Sequence, residues 1–142
     1  SNEQATTLPE KAKATYQAAL KQCGNNIVIE FDDLLVGTSS ENIKAKTNDE
    51  TATASIEGGS NDVCINGNIE LLEVSGGSND VFINGKIDTL TIGGNSNDVY
   101  IFGSVTTLEI SGTTNDVYTE EVAVYDLTGA NNDVMNISDA KL

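Results

Sequence analysis

The sequence predicts an all-β fold: a single-stranded β-solenoid of about six to seven rungs, with 18 residues in each rung. The tripeptide Asn-Asp-Val recurs five times, at spacings of 18, 18, 18 and 17 residues, beginning at Asn61, Asn79, Asn97, Asn115 and Asn132. Each copy is followed by short stretches in which apolar and polar residues alternate, separated by Gly, Asn and Ser, and this pattern is typical of a solenoid coil. We expect the coil to be right-handed, which is the commoner hand.

The apolar positions of successive repeats fall on one frame. Val81, Ile83, Leu90 and Ile92 of one repeat become Val99, Ile101, Leu108 and Ile110 of the next. Because side chains alternate along a strand, these residues should share one face. A single rung cannot bury that face, so we expect the rungs to stack at ~4.8 Å and to share one core.

The solenoid should extend over residues 25–142. Asn25–Ile29 matches the frame two periods before Asn61, and the coil between the two is degenerate. In that coil Glu41–Ala45 should form the strand, and Ala54 and Ile56 fall where Leu72 and Val74 fall one rung later.

Residues 1–24 should form an N-terminal segment with a helix from Pro9 to Gln22. Proline suits a first helical turn, Gly24 suits a C-terminal end, and an apolar stripe runs through Ala12, Tyr16, Ala19, Leu20 and Cys23. We expect the helix to cap the open solenoid end, where unpaired strand edges need cover. The alternative is a spacer that leads to a lipid or membrane anchor.

The charge excludes several functions. The chain has 22 acidic residues, 7 lysines and no arginine or histidine, which gives a net charge of −15. Such a surface repels nucleic acid and anionic membranes. From Thr47 onward the chain has 16 acidic residues and only two lysines, Lys86 and Lys141, so most of the negative charge lies in the repeats.

Three ladders should run along the stack. The repeat asparagines should point inward and bond to one another, and Gly67, Gly85 and Gly103 should occupy turns. The acids that follow the asparagines should form an outward column, here called the Asp column: Asp62, Asp80, Asp98, Asp116 and Asp133. A second outward column, here called the aromatic column, contains Cys64, Phe82, Tyr100, Tyr118 and Met135, and Phe102 adds a further ring.

The two outward columns are the candidate binding face. Stacked carboxylates repel one another and attract cations, while exposed rings suit a sugar, a partner's sheet or a homodimer contact. The alternative is that the rings only stack between rungs, or that a loop from the degenerate coil covers them.

The frame that runs from Gly76 through Val81, Ile83, Gly85 and Leu90 resembles a bacterial family of exported proteins and predicted lipoproteins, catalogued as a domain of unknown function. The resemblance implies a β-solenoid that is exported to the periplasm or the exterior, with or without a lipid anchor. It implies no activity.

The segment Gly76–Ile83 is also similar to the calcium-binding nonapeptide repeats of secreted toxins. That resemblance implies a metal site at Asp80, Asp98 and Asp116, with calcium as the one cofactor to test. The sequence departs from those repeats because its second half-coil, from Gly85 to Gly93, has no matching turn.

Cys23 and Cys64 are the only cysteines. In an exported protein they could form a disulfide between the helix end and the first complete rung. The sequence alone does not show whether they meet.

The sequence favours a non-catalytic, exported structural or binding module that presents its acidic and aromatic face to a protein or glycan. The first alternative is a calcium-binding solenoid. The second is a polysaccharide-active enzyme that uses paired carboxylates, although an active site needs residues that break the repeat.

Overall fold

The strands alternate between two parallel sheets, one strand of each sheet per turn. The structure, a computed structural model, describes residue 14 and residues 29–136. Within this part of the chain the seven-stranded sheet contains β1 (Ile29–Phe31), β3 (Asn42–Thr47), β5 (Asp62–Asn66), β7 (Asp80–Asn84), β9 (Asp98–Ile101), β11 (Asp116–Thr119) and β13 (Asp133–Asn136). The six-stranded sheet contains β2 (Asp33–Val36), β4 (Thr53–Ile56), β6 (Ile69–Val74), β8 (Ile87–Ile92), β10 (Ser104–Ile110) and β12 (Glu121–Leu127).

This arrangement is a parallel β-solenoid of about six turns, which confirms the fold class and the 18-residue rung. The capping helix is not supported, because Pro9 to Gln22 falls outside the described residues apart from Ala14. The hand of the coil stays a prediction.

The core lies between the two sheets. Val81 and Ile83 of β7 and Leu90 and Ile92 of β8 are buried members of one apolar cluster. Each pairs with its counterpart in the next turn, for example Leu90 with Leu108. Equivalent apolar residues of successive turns therefore stack on one another, and one core runs the length of the solenoid.

The degenerate coil keeps the fold although it departs from the period. Ile29 pairs with Ala45 and Ala45 with Ile65, so these turns are 16 and 20 residues long instead of 18. Ala54 and Ile56 pair with Leu72 and Val74, as the frame predicts.

The repeat asparagines form an inward hydrogen-bonded ladder at one corner. The amide Nδ2 of Asn97 donates to Asn115 Oδ1 at 3.1 Å and to the Gly76 carbonyl oxygen at 2.9 Å. The Oδ1 of Asn97 accepts from the backbone N–H of Asn79 at 3.0 Å and from its Nδ2 at 3.1 Å. Every such amide is fully buried. The ladder thus satisfies backbone groups at the corner between the strands, such as the N–H of Asn79.

The glycines before each asparagine allow the turns to approach closely at the same corner. A Cβ built on Gly94 would collide with the carbonyl oxygen of Gly76 in the preceding turn. A Cβ on the neighbouring Gly93 would meet only Ser111 Oγ, at 3.7 Å. Gly94 is therefore required by the stack, whereas Gly93 is not.

Asn97→Ala should lower the free energy of unfolding by about 3 kcal/mol, because it removes the four hydrogen bonds of a buried side chain and leaves the backbone N–H of Asn79 without its partner. The matched control is Asn84→Ala, which removes an exposed side-chain bond to Asn66 and should cost less than about 1 kcal/mol. Urea unfolding measures both. Equal losses for the two variants would contradict a stabilising role for the buried ladder.

Gly94→Ala should destabilise the protein by about 2 kcal/mol, because the added methyl group forces two turns apart. Gly93→Ala, one residue away, should change the stability by less than about 0.5 kcal/mol. Thermal melts of the two variants side by side test this difference. A Gly94→Ala protein as stable as the wild type would show that the turns are not closely packed here.

Candidate functional site

The Asp column is in register along the outer face of the seven-stranded sheet. Asp62 pairs with Asp80, Asp80 with Asp98, Asp98 with Asp116, and Asp116 with Asp133. All five side chains are partly exposed. Register pairing in parallel strands places each carboxylate one strand spacing, ~4.8 Å, from the next.

Crowding changes the acidity of the middle of this column. Burial raises the pKa of Asp98 to about 7, and the charges of Asp116 and Asp80 add to the shift. Burial, followed by the charge of Asp62, raises the pKa of Asp80, and burial, followed by the charge of Asp133, raises that of Asp116. The middle of the column therefore holds a proton at a pH where ordinary carboxylates are ionised.

The aromatic column points outward as predicted, but it is buried, so the expected exposed stripe was wrong. Cys64, Phe82, Tyr100 and Tyr118 are only 9, 8, 4 and 8 % exposed. None of them belongs to the apolar cluster between the sheets. Met135 and Phe102 are partly exposed. An outward residue is normally exposed, so this burial requires cover on the outer face.

The rings of the aromatic column stack on one another along the solenoid. The centroids of Phe82 and Tyr100 are 5.0 Å apart, and those of Tyr100 and Tyr118 are 4.6 Å apart, with interplanar angles of 17° and 7°. Burial raises the pKa of both tyrosines, and the charges of Asp98 on Tyr100 and of Asp116 on Tyr118 add to it. The stacking alternative considered from the sequence is present, and burial leaves little of these rings for a sugar or a homodimer.

Cys64 stands in the same column, directly before Phe82 in the stack. It is disulfide-bonded. The partner expected from the sequence, Cys23, lies outside the described residues.

The structure lends no support to the calcium alternative. Among the described residues no group of three or more His, Cys, Asp or Glu side chains is arranged to hold a metal ion. Asp80, Asp98 and Asp116 therefore lie in register without forming such a group.

In the same part of the chain no helix is long and apolar enough to cross a membrane.

The outer face of the six-stranded sheet is an exposed acidic surface, and sequence reasoning placed no site there. Its strands β6, β8, β10 and β12 carry six carboxylates that are exposed or partly exposed, and no lysine: Glu70, Glu73, Asp88, Glu109, Glu121 and Asp126. The available signal was the alternation of acids with the inward apolar residues. It was missed because these acids recur irregularly between repeats, unlike the Asp column.

A shallow depression of about 240 Å³ lies on this face. Thr91, Glu109, Asp126 and Thr128 contribute to its walls. Glu109 pairs in register with Asp126, and the hydroxyl of Thr91 donates to Glu109 Oε1 at 3.2 Å. The depression therefore combines two neighbouring carboxylates with hydroxyl groups, which suits a cationic or hydroxyl-bearing ligand group.

Asp98→Asn should stabilise the protein at pH 8 but not at pH 4. A raised pKa in the folded state means that stability falls as the pH rises from about 4 to 7, where only the unfolded chain has lost the proton. The substitution removes this penalty. Urea midpoints at the two pH values measure it, with Asp88→Asn as an equally charged control on the exposed face. A gain that is the same at pH 4 and pH 8 would contradict the crowding of Asp98.

Comparison with known proteins adds a partial match. The family described as "Protein of unknown function (DUF3060)" matches residues 92–140. This range covers the last turns of the solenoid, from the end of β8. No significant match was found among curated proteins or among solved structures. The chain is therefore similar, over about a third of its length, to a domain of unknown function. This agrees with the coarser part of the resemblance seen in the repeats, a β-solenoid domain of unknown function.

Proposed function

We propose that the protein is a non-catalytic, exported binding module that presents the outer face of its six-stranded sheet to a cationic protein partner. The observation that supports this most is the set of six solvent-accessible carboxylates on strands β6, β8, β10 and β12, which carry no lysine. A rigid acidic face attracts a cationic partner at long range and fixes its orientation at short range.

The row that contains Glu73, Thr91, Glu109 and Asp126 is the proposed centre of contact. These residues pair in register from β6 to β12. The spacing of ~4.8 Å between strands places Asp126 one strand from Glu109, and Glu73 two strands from Glu109 on the other side. A lysine-rich segment of a partner can then bind several carboxylates at once without any change in the solenoid.

Export is supported by the disulfide at Cys64, since structural disulfides persist in oxidising compartments. The periplasm and the cell exterior both meet this condition, and a lipid anchor is compatible with either.

A non-catalytic role fits the repetition of the surface. The outward acids of the Asp column recur as near-equivalent members of a stack, whereas an active site needs residues with distinct roles. A glycan partner is the second candidate, because the depression beside Glu109 and Asp126 also offers the hydroxyl groups of Thr91 and Thr128.

Binding of a fluorescent oligolysine peptide tests the proposal. The triple variant Glu73→Gln, Glu109→Gln, Asp126→Asn should weaken binding roughly tenfold, about 1.4 kcal/mol, because it removes the central carboxylates.

The control is the triple variant Glu30→Gln, Glu41→Gln, Glu50→Gln, which loses the same charge from exposed positions that are not on the strands of this sheet. The control variant should weaken oligolysine binding less than about threefold, because it lowers the net charge without removing the central carboxylates. Equal losses for the two triples would mean that no defined site exists on the six-stranded sheet. A glycan array run in parallel distinguishes the second candidate, since binding there without oligolysine binding replaces the protein partner with a sugar.

A further inference from the structure

Two asparagine–glycine pairs lie at the same place in successive turns of the seven-stranded sheet. Asn66 ends β5 and is followed by Gly67, and Asn84 ends β7 and is followed by Gly85. The two asparagines pair in register, and both side chains are exposed. Asn84 Nδ2 donates to Asn66 Oδ1 at 3.2 Å. The function proposed above uses neither pair.

We propose that Asn84 is a site of spontaneous covalent modification, at which the backbone nitrogen of Gly85 attacks the side-chain amide and converts the asparagine to aspartate and isoaspartate. The equivalent Asn66 reacts more slowly, because the N–H of the glycine that follows it is held in a hydrogen bond. The site lies on the seven-stranded sheet and is independent of the function proposed for the six-stranded sheet.

The reaction needs no reagent except water. The Gly85 nitrogen gives its proton to a solvent base and forms a bond with Cγ of Asn84, and the side-chain nitrogen leaves as ammonia. Water then opens the resulting succinimide at either carbonyl carbon, which gives aspartate or isoaspartate without any oxidation or reduction. Asparagine is thermolabile in proteins, and a following glycine has no Cβ to obstruct the approach of its nitrogen.

The backbone hydrogen bonds distinguish the two pairs. The N–H of Gly67 donates to the carbonyl oxygen of Asn84 at 3.0 Å. The N–H of Gly85 forms no hydrogen bond with any other residue in the range 29–136 that the structure describes. A nitrogen that donates to a carbonyl must break that bond before it can lose its proton and move toward Cγ. The nitrogen of Gly85 is therefore the more available nucleophile.

This difference follows from where the strands end. β5 and β7 remain paired as far as Asn66 and Asn84. The pairing of β7 with β9 stops at Ile83 and Ile101, because β9 ends at Ile101. Asn84 and the glycine after it therefore extend past the last pair on that side of β7.

The two products differ in how well the fold accommodates them. Asn84 stands in register with Asn66, and Asn66 with Lys46, so an aspartate at this place adds a carboxylate beside an amide that can donate to it. Isoaspartate lengthens the backbone by one carbon at a corner that is already close, since a Cβ built on Gly85 would collide with the carbonyl oxygen of Gly67. The isoaspartyl form is therefore expected to be the less stable of the two.

Ageing of the wild-type protein in its folded and unfolded states tests the proposal. The full-length protein is incubated at pH 8 with and without guanidinium chloride, reduced, and cleaved after glutamate. Cuts after Glu70 and Glu73 separate the peptides of Asn66 and Asn84, and fragmentation spectra then locate each deamidated residue.

In the folded protein Asn84 should deamidate at least about fivefold faster than Asn66, since only the latter reaction must first break a backbone hydrogen bond. In guanidinium chloride the two rates should agree within about twofold, because both pairs are then without that bond.

Asn84→Gln is the matched variant, and its exposed position makes a loss of folding unexpected. Glutamine would have to close a larger ring, so modification at position 84 should disappear, while Asn66 should keep its rate within about twofold.

Three results would overturn the proposal. The first is a folded protein in which Asn66 reacts as fast as Asn84 or faster. The second is an unreacted Asn84 in the folded protein after a time in which the unfolded protein reacts completely. The third is aspartate without isoaspartate, which would mean that water attacks the side chain directly and that the nitrogen of Gly85 takes no part.

Discussion

The hydrogen bonds of the buried asparagine amides are the interaction on which the rest of the structure depends. Each amide from Asn61 to Asn115, such as that of Asn97, bonds to the amide of the next turn and to a backbone carbonyl of an earlier one. These bonds form only when the turns keep one register, because a slip would leave buried polar groups without partners. The register in turn aligns every other column of the solenoid.

In-register stacking has opposite consequences for different side chains. Apolar residues such as Leu90 and Leu108 meet in a continuous core, and Tyr100 and Tyr118 stack at 4.6 Å. The same register places Asp98 between two other carboxylates, where burial and repulsion raise its pKa to about 7. The fold accepts this electrostatic cost because the ladder and the core fix the spacing.

The two outer faces of the solenoid differ although both are acidic. The six-stranded sheet carries solvent-accessible carboxylates beside a shallow depression, and this openness supports its proposed role as the contact surface for a partner. The seven-stranded sheet carries rings that are buried, so they offer little surface to a partner. A large exposed aromatic strip would favour aggregation, and the burial of these rings avoids it.

The sequence by itself determined the period, the pairing of residues such as Ala54 with Leu72, and the inward or outward direction of each side chain. These properties follow from local alternation and an 18-residue repeat. The tertiary structure alone decided that outward Tyr100 is buried, that Asp98 is more crowded than its sequence equivalents, and that the open acids lie on the other sheet. Exposure and pKa depend on what lies opposite a side chain in space, and a repeat pattern carries no information about that.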